Sequence, residues 1–574
     1  MDITIKINKN GVFERKIMPF VLLLFLALVF AFCAFYLFTG YYHLVNWYNG
    51  LNDCYYKKDS WTTNFFTNKL KDQGNVFCIT GMLIAVVGGF YVKRYIDQKK
   101  RVLPEQVVIT VKWIDVALAG VLLLVTTIAW LWGSSLVYPS NDEVFSAVNC
   151  AGIHPFQTMS YYMLPNNHIL FNLINSIVFH SYGDKVASGR VISLVCYWGI
   201  ALVSFSWLKS LLRNRWLALI AAVALCFQFP IWGFGAQARG YELLALMEWG
   251  AFISLFKYLF SGEPKWLHIY VVACGLGYFT VPSFLSFHLG ICLFALLYQA
   301  FSRSLDVRFW KFQAAGMLFV FLLYLPCLCF SGRGAMVGNQ FIMAYQTRAE
   351  FLASIVPMAQ NYLDYLFFNL ITPNHELDFL LFLLPLCLLF FRKNKFAMSI
   401  GLFYIAMWVA VILLTVKMKI FPFDRSLTGQ FSISLCIIVY TVYLLLTSLS
   451  EKIKLLFIGQ ILFSLFLILL IANYIKNGKD NMNHYLCHFQ VNVWYDLMLR
   501  DCVRAVPPGS SIAFSDESFY LRYLFTQNGY KTSKCTSGGE AYFVQSKDDP
   551  TLPDITSNYA QFKDTNGFII YKKR

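Results

Sequence analysis

Two adjacent acids, Asp142 and Glu143, stand in the segment Tyr138-Pro139-Ser140-Asn141-Asp142-Glu143, directly after the apolar run Val116 to Trp132. Such a run is close to the roughly 20 residues that a helix needs to cross a bilayer. Carboxylates at its mouth are too costly to place in hydrocarbon and belong at the interface or in a wet cavity. There, one of them can serve as a general base, or as a metal ligand, toward a lipid-borne substrate. Spacing alone leaves a plainer role equally open, because Asn141-Asp142-Glu143 also reads as the capped start of a helix.

Three further polar groups fall near apolar runs. Pro165-Asn166-Asn167-His168 precedes Ile169-Leu170-Phe171, where Asn167 and His168 can orient a sugar or a phosphate; a lone surface histidine is the plainer reading. Ala236-Gln237-Ala238-Arg239-Gly240-Tyr241-Glu242 forms a short turn between two apolar runs. Arginine is disfavoured in a short outer loop, so Arg239 needs a partner there. That partner is either a carboxylate (Glu242 or Asp142) or an anionic ligand, with Tyr241 and Glu242 beside it. Glu242 also suits the positive end of the helix it heads. Finally, Lys417-Met418-Lys419-Ile420-Phe421-Pro422-Phe423-Asp424-Arg425 puts three cations, Lys417, Lys419 and Arg425, into one short loop. With Arg239 they make an electropositive patch suited to a phosphate or diphosphate head group. Non-chemical attraction to anionic lipid is the simpler alternative.

The elements that must position these groups are membrane helices. Of 574 residues, 58% are hydrophobic and 14% charged, with a mean hydropathy of +0.55; soluble proteins carry roughly a quarter charged residues. The net charge of +16 does not indicate nucleic acid, because the basic residues cluster between alternate apolar runs. We expect an all-α polytopic membrane protein with about thirteen spans: 17–40, 76–95, 114–133, 189–209, 215–234, 241–260, 266–281, 283–301, 312–330, 377–391, 396–416, 427–447 and 453–474. Placing Lys6, Lys9, Arg15 and Lys16 in the cytoplasm makes every inner connection basic, including Lys209 to Arg215, Arg303 to Lys311, Arg392 to Lys395 and Glu451 to Lys454. The four polar groups then share the outer face. Charges lie only at the outer ends of spans, and no repeat relates two halves, which argues against a transporter.

The run Ile17 to Phe38 is too long for a signal-peptide core and reads as a retained anchor. Three regions follow: residues 1–112 as an extension with two spans, 113–474 as the core, and 475–574 as a small outer α/β domain. The long outer loops 134–188 and 331–376 hold amphipathic stretches at Val144 to Ile153, Ile169 to Phe179 and Glu350 to Phe368. These suit helices along the membrane surface. In the tail, Ser511 to Phe514, Ala541 to Gln545 and Gly567 to Lys572 read as strands and Phe519 to Phe525 as a helix. Cys54, Cys150, Cys487, Cys502 and Cys535 lie outside the spans without a disulfide or zinc spacing.

In this order the motifs resemble GT-C fold glycosyltransferases, the group that includes protein O-mannosyltransferases and the lipid A aminoarabinose transferase. The likeness rests on Asp142-Glu143, on Asn166-Asn167-His168, and on Gly183-Asp184-Lys185-Val186-Ala187-Ser188-Gly189-Arg190. Ala236 to Leu244 and Pro422-Phe423-Asp424-Arg425 complete it. The resemblance implies a polyprenyl-phosphate-linked sugar as donor, inverting transfer, and a glycan, glycolipid or protein acceptor. It places the site on the outer face of a bacterial inner membrane and makes Asp142 the counterpart of the catalytic base. Some relatives add a second acid and a divalent metal. Here Asn166, Asn167 and His168 occupy that position, so no metal ligand is assigned and no cofactor is certain, with a divalent metal left open. An envelope polysaccharide polymerase or ligase using a diphosphate-linked donor is the competing enzyme reading.

Overall fold

The computed structural model describes residues 2–8, 18–51, 66–99, 106–137, 139–162, 166–337, 344–367, 376–452, 456–486, 500–515, 519–533, 539–547, 558–565 and 567–574. Tyr138, Pro165, the basic residues Lys9, Arg15, Lys16 and Lys454, and Cys54, Cys487 and Cys535 lie outside these. Cys150 and Cys502 are buried, unpaired thiols.

Ten of the described helices are long and apolar enough to cross a membrane, and a bent pair, Arg215–Phe227 with Phe229–Gly235, makes an eleventh. The other two expected spans are also helical but short. Residues 266–281 form the 16-residue helix Lys265–Thr280. Residues 377–391 form Glu376–Leu383, continued by a tighter turn over Leu384–Phe390. At 1.5 Å per residue, neither reaches the ~30 Å of a hydrocarbon core. The chain is a multi-pass membrane protein, and its surface shows why: Phe20, Leu24, Leu28, Ile128, Leu413 and Leu469 are large and exposed. Such a girdle suits lipid, whereas in water it would aggregate.

Between helices, small side chains set the distance, as expected where lipid supplies no hydrophobic drive to association. Ala218, Ala221, Ala222 and Ala224 are buried along Arg215–Phe227, which packs on Lys185–Leu212 and on Leu456–Leu486. The expected straight span 215–234 is instead bent by 63°. Pro230 has no N–H to give to the carbonyl of Cys226 four residues back. The hydroxyl of Tyr197, fully buried on the neighbouring helix, donates to that carbonyl at 2.6 Å. The bend ends the helix early and brings the turn 236–240 against the loop that carries Asp142 and Glu143.

One carboxylate departs from the expected pattern of charges at outer ends. Glu248 is wholly buried two turns into Tyr241–Ser261 and lies so close to Gly429 that a Cβ there would stand 2.0 Å from its Oε2.

The 134–188 loop is helical where amphipathic stretches were expected: Asn141–Ser146 continued by a wider π-turn over Ala147–Ala151, then Pro155–Ser160 and Ile169–Val178. A later one, Arg348–Phe367, also matches. The N-terminal helices Met18–Phe38 and Asn68–Lys99 pack on each other and on Val307–Phe330. There Tyr36 donates to the carbonyl of Cys329 at 3.1 Å. An antiparallel ribbon pairs Asp2–Asn8 with Gln106–Lys112; the alternation in Ile3, Ile5 and Ile7 is its sequence signal.

In the tail the expected strands and helix are present as Ser511–Phe514, Tyr542–Ser546, Phe568–Lys573 and Phe519–Gln527. Two strands, Lys531–Ser533 and Tyr559–Asp564, were not anticipated. The sheet order is 531–533, 511–514, 542–546, 568–573, 559–564, with the first three strands parallel and the last two antiparallel to their neighbours. Its core residues Val506, Ile512, Leu521 and Phe525 share one hydrophobic cluster with Val144, Ala147, Val186 and Ala238. The tail is therefore seated on the loop that carries the acid pair.

Candidate active site

Ser140 starts the helix that holds both acids. Its hydroxyl accepts from the N–H of Glu143 at 3.1 Å, and the Glu143 carboxylate accepts from the N–H of Ser140 at 2.8 Å. This reciprocal cap satisfies two donors that a helix start leaves open. Glu143 goes further. Fully buried, it also accepts from Arg190 Nε at 3.1 Å, from Arg190 Nη2 at 3.3 Å and from the N–H of Ala238 at 2.6 Å. All of its oxygen capacity is committed to protein. The capping role that spacing left open belongs to Glu143, which has no lone pair to spare for a substrate.

Asp142, one residue earlier, points the other way and is about one-third exposed. Its Oδ1 accepts from Asn166 Nδ2 at 3.0 Å. Its Oδ2 faces two guanidiniums, Arg239 at 3.6 Å and Arg425 at 3.7 Å. Arg239 is buried and tightly held: Nη1 donates to the carbonyl of Asp142 and to Ser146 Oγ, each at 2.9 Å. Nη2 donates to the Tyr241 hydroxyl at 3.3 Å. Arg425 is one-third exposed and stacks near Phe423 and Tyr241, at 4.9 and 5.9 Å from the ring centres. The partner that topology demands for Arg239 is Asp142 and not Glu242.

Two glycines let these pieces approach. A Cβ at Gly189 would stand 2.7 Å from that of Ala238, so the turn bearing Arg239 rests directly on Lys185–Leu212. A Cβ at Gly240 would lie 2.8 to 3.1 Å from His168 atoms. Through that contact His168 Nδ1 accepts the N–H of Gly240 at 2.8 Å, which puts the proton of the neutral ring on Nε2. Burial lowers the His168 pKa well below the ordinary 6.5, and the Arg239 and Arg425 charges push the same way. The ring meets Tyr241 edge-on at 4.7 Å. His168 and Tyr241 thus form the wall behind the two arginines.

The other expected residues are placed differently. Asn167 donates to the carbonyls of Thr158 and Tyr161 at 2.9 and 2.8 Å and accepts from Asn172 at 3.0 Å, so it braces the loop instead of facing a ligand. Glu242 is wholly buried in the bundle against Gly235. Lys417 and Lys419 are exposed and make no ion pair among the described residues. The cations gathered at Asp142 are Arg239 and Arg425 alone.

Sequence reasoning had no site role for Arg190, Asn166 or Ser146. Arg190 carried a signal: it is a cation at the outer end of a span, the same anomaly that singled out Arg239. Asp184 caps the same helix and accepts from Tyr523 of the tail at 3.3 Å, which ties the C-terminal domain to this assembly.

The donor set does not suit a divalent cation. Asp142 already faces two cations, His168 spends its lone pair on Gly240, and Asn166 is an amide whose NH2 donates to Asp142. Among the described residues, no three His, Cys, Asp or Glu side chains are grouped to hold a metal. What the arrangement can do is hold a carboxylate beside two cations, at an outer-loop surface, with one carboxylate oxygen aimed at them.

No family model and no curated protein matches the chain. Among solved structures, it is similar to the crystal structure of ArnT from Cupriavidus metallidurans bound to undecaprenyl phosphate. That match has a TM-score of 0.46 and 13% identity, over 79% of this chain and 97% of the other. The apo state of the same protein gives 0.46 and 12% over the same shares. The single-particle cryo-EM structure of arabinosyltransferase EmbB from Mycobacterium smegmatis gives 0.42 and 12%, over 85% of this chain and 49% of the other.

Proposed function

We propose that the chain is an inverting glycosyltransferase that moves a sugar from a polyprenyl-phosphate donor to an acceptor hydroxyl at the outer face of a bacterial inner membrane. The observation that carries this reading is the Asp142 carboxylate, one-third exposed and facing Arg239 and Arg425 at 3.6 and 3.7 Å.

The charges balance through the reaction. Asp142 takes the acceptor's proton as the acceptor oxygen bonds to the anomeric carbon, and the bond from that carbon to the phosphate oxygen breaks. The carboxylate loses one negative charge while the departing phosphate gains one. Arg239 and Arg425, partnered by Asp142 at rest, are then placed to turn their charge to the phosphate. General base catalysis supplies about 10²–10⁴ in rate, and a fixed cation at the developing charge about 10²–10³. Glu143 acts as a positioning residue, holding Asp142, Arg190 and the Arg239 turn in one frame. Tyr241 and His168 back the arginines, and Lys417 and Lys419 contribute attraction at the rim. No metal enters this scheme.

Purified protein given a panel of polyprenyl-phosphate sugars should release polyprenyl phosphate from at least one. Release from diphosphate-linked oligosaccharides alone would favour the polymerase or ligase reading. Glu248, buried inside the bundle, is a feature that favours a transporter; movement of an intact donor across proteoliposomes, with no cleavage of any donor, would replace the enzyme reading.

A further inference from the structure

The Lys185–Leu212 helix meets the Asp142 site through Arg190 at one end, and a cavity of about 630 Å³ lies at the other. Its 28 residues span about 42 Å, the thickness of a bilayer with its head groups. The cavity therefore lies at the opposite membrane surface and is no part of the site described above. Trp207, Phe396, Ser254 and Tyr440 line its interior, and Trp207, Ser254 and Tyr440 are nearly fully buried. Arg213 and Lys257 stand exposed at its rim, and no carboxylate lines it.

Neighbouring charges single these two cations out. Lys209 and Arg215 are both matched by Asp115, at 3.1 and 3.7 Å. Arg213, between them in sequence, adopts a left-handed backbone (φ 51°), uncommon for a side-chain-bearing residue. It makes no ion pair with a described acid. Lys257 lies over the Trp266 ring at 4.2 Å and is likewise unpaired, while its neighbour Lys265 takes Glu263. Two uncompensated cations over an apolar, hydroxyl-bearing hole match an amphiphile with a phosphate head. A neutral lipid would leave the cations unanswered, and free phosphate would leave the apolar walls uncovered. Basic pockets between membrane helices on the cytoplasmic side are also where anionic lipid heads bind.

We propose that this cavity binds the phosphate head of an anionic glycerophospholipid in the leaflet opposite Asp142. Native mass spectrometry of the full-length protein tests it, with phosphatidylglycerol, phosphatidylethanolamine, undecaprenyl phosphate and inorganic phosphate added in separate arms. Phosphatidylglycerol should be retained over phosphatidylethanolamine, and millimolar inorganic phosphate should not displace it. Arg213→Gln and Lys257→Gln should each weaken retention roughly fivefold. Lys393→Gln, an exposed cation of the same surface outside the cavity, should leave retention unchanged. Ser254→Leu, which fills the interior and keeps both cations, should also abolish it. Equal retention of the two phospholipids, equal loss in Lys393→Gln, unaltered binding in Ser254→Leu, or retention of undecaprenyl phosphate that Arg213→Gln and Lys257→Gln weaken as much as that of phosphatidylglycerol, would each overturn the assignment.

Discussion

Replacing each acid of the 142–143 pair by its amide should produce opposite phenotypes. Asp142→Asn removes two ion-pair contacts longer than 3.5 Å on a side chain that is one-third exposed. Such pairs are worth about 0–1 kcal/mol, and the asparagine oxygen can still accept from Asn166. Arg239 is buried and loses a counter-charge but keeps its bonds to the Asp142 carbonyl, Ser146 and Tyr241, so stability should fall by about 1–3 kcal/mol, less than in Glu143→Gln. Turnover should fall by about 10²–10⁴, which is about 3–5 kcal/mol of barrier. Glu143→Gln inverts the pattern. It leaves Arg190 buried without its counter-charge and turns an amide NH2 toward the donors of Ser140 and Ala238. Breaking a buried pair costs about 3–5 kcal/mol, so the protein should unfold measurably earlier. Any activity lost should return in proportion to the folded fraction. The assay pairs chemical unfolding in detergent, followed by tryptophan fluorescence, with release of polyprenyl phosphate from a labelled donor. If Asp142→Asn turns over within tenfold of the parent, or destabilises as much as Glu143→Gln, the assignment of the base is wrong.

Arg425→Gln should raise the donor KM roughly tenfold, whereas Lys417→Gln with Lys419→Gln should move it less than about threefold; the reverse order would return the phosphate clamp to the lysines. Gly240→Ala forces its new carbon onto His168 and should cost about 1–3 kcal/mol, read as a lower unfolding midpoint. Because the folded-state pKa of His168 is depressed, the unfolded chain takes up the extra proton. Stability from this group is complete above about 6.5 and is lost as pH falls through that value toward the folded pKa. Unfolding midpoints from about pH 7.5 to 5.5 should therefore drop more steeply in the parent than in His168→Asn; equal slopes would refute the point. Tyr523→Phe removes the tail's bond to Asp184 and should cost about 0.5–1.5 kcal/mol, with turnover per folded molecule unchanged.

Hydropathy and charge alternation were enough to read the helices, because each span carries its own apolar record and alternate connections carry their own cations. They could not read the 63° bend, although Pro230 was visible. Whether a proline bends a helix depends on who receives the orphaned carbonyl, and Tyr197 lies 29 positions from Cys226. The same limit governs the site. Arg239 stood out because a cation is unexpected in a short connection on the side where charge alternation puts it, but its partner is 97 residues away. Asn167 and Glu242 looked like ligand groups because local sequence shows polarity and not where a side chain turns. Residues 142 and 143 are neighbours in sequence yet face apart, as adjacent positions on a helix do, about 100° round the axis.

The N-terminal pair of helices reads in sequence as an addition to a complete core. The short helix Tyr41–Gly50 that follows the first of them gives this extension a share in the 134–188 loop: Tyr48 exchanges a hydrogen bond with Ser160 at 3.1 Å and accepts from Gln157 through its carbonyl at 2.9 Å. The 155–160 helix it reaches leads, through Thr158 and Tyr161, to Asn167, next to the asparagine that holds Asp142. The boundary at residue 112 is thus a seam in the chain but not in the mechanics. Shortening the protein to residues 113–474 would remove the Tyr41–Gly50 helix and with it a buttress of the candidate site.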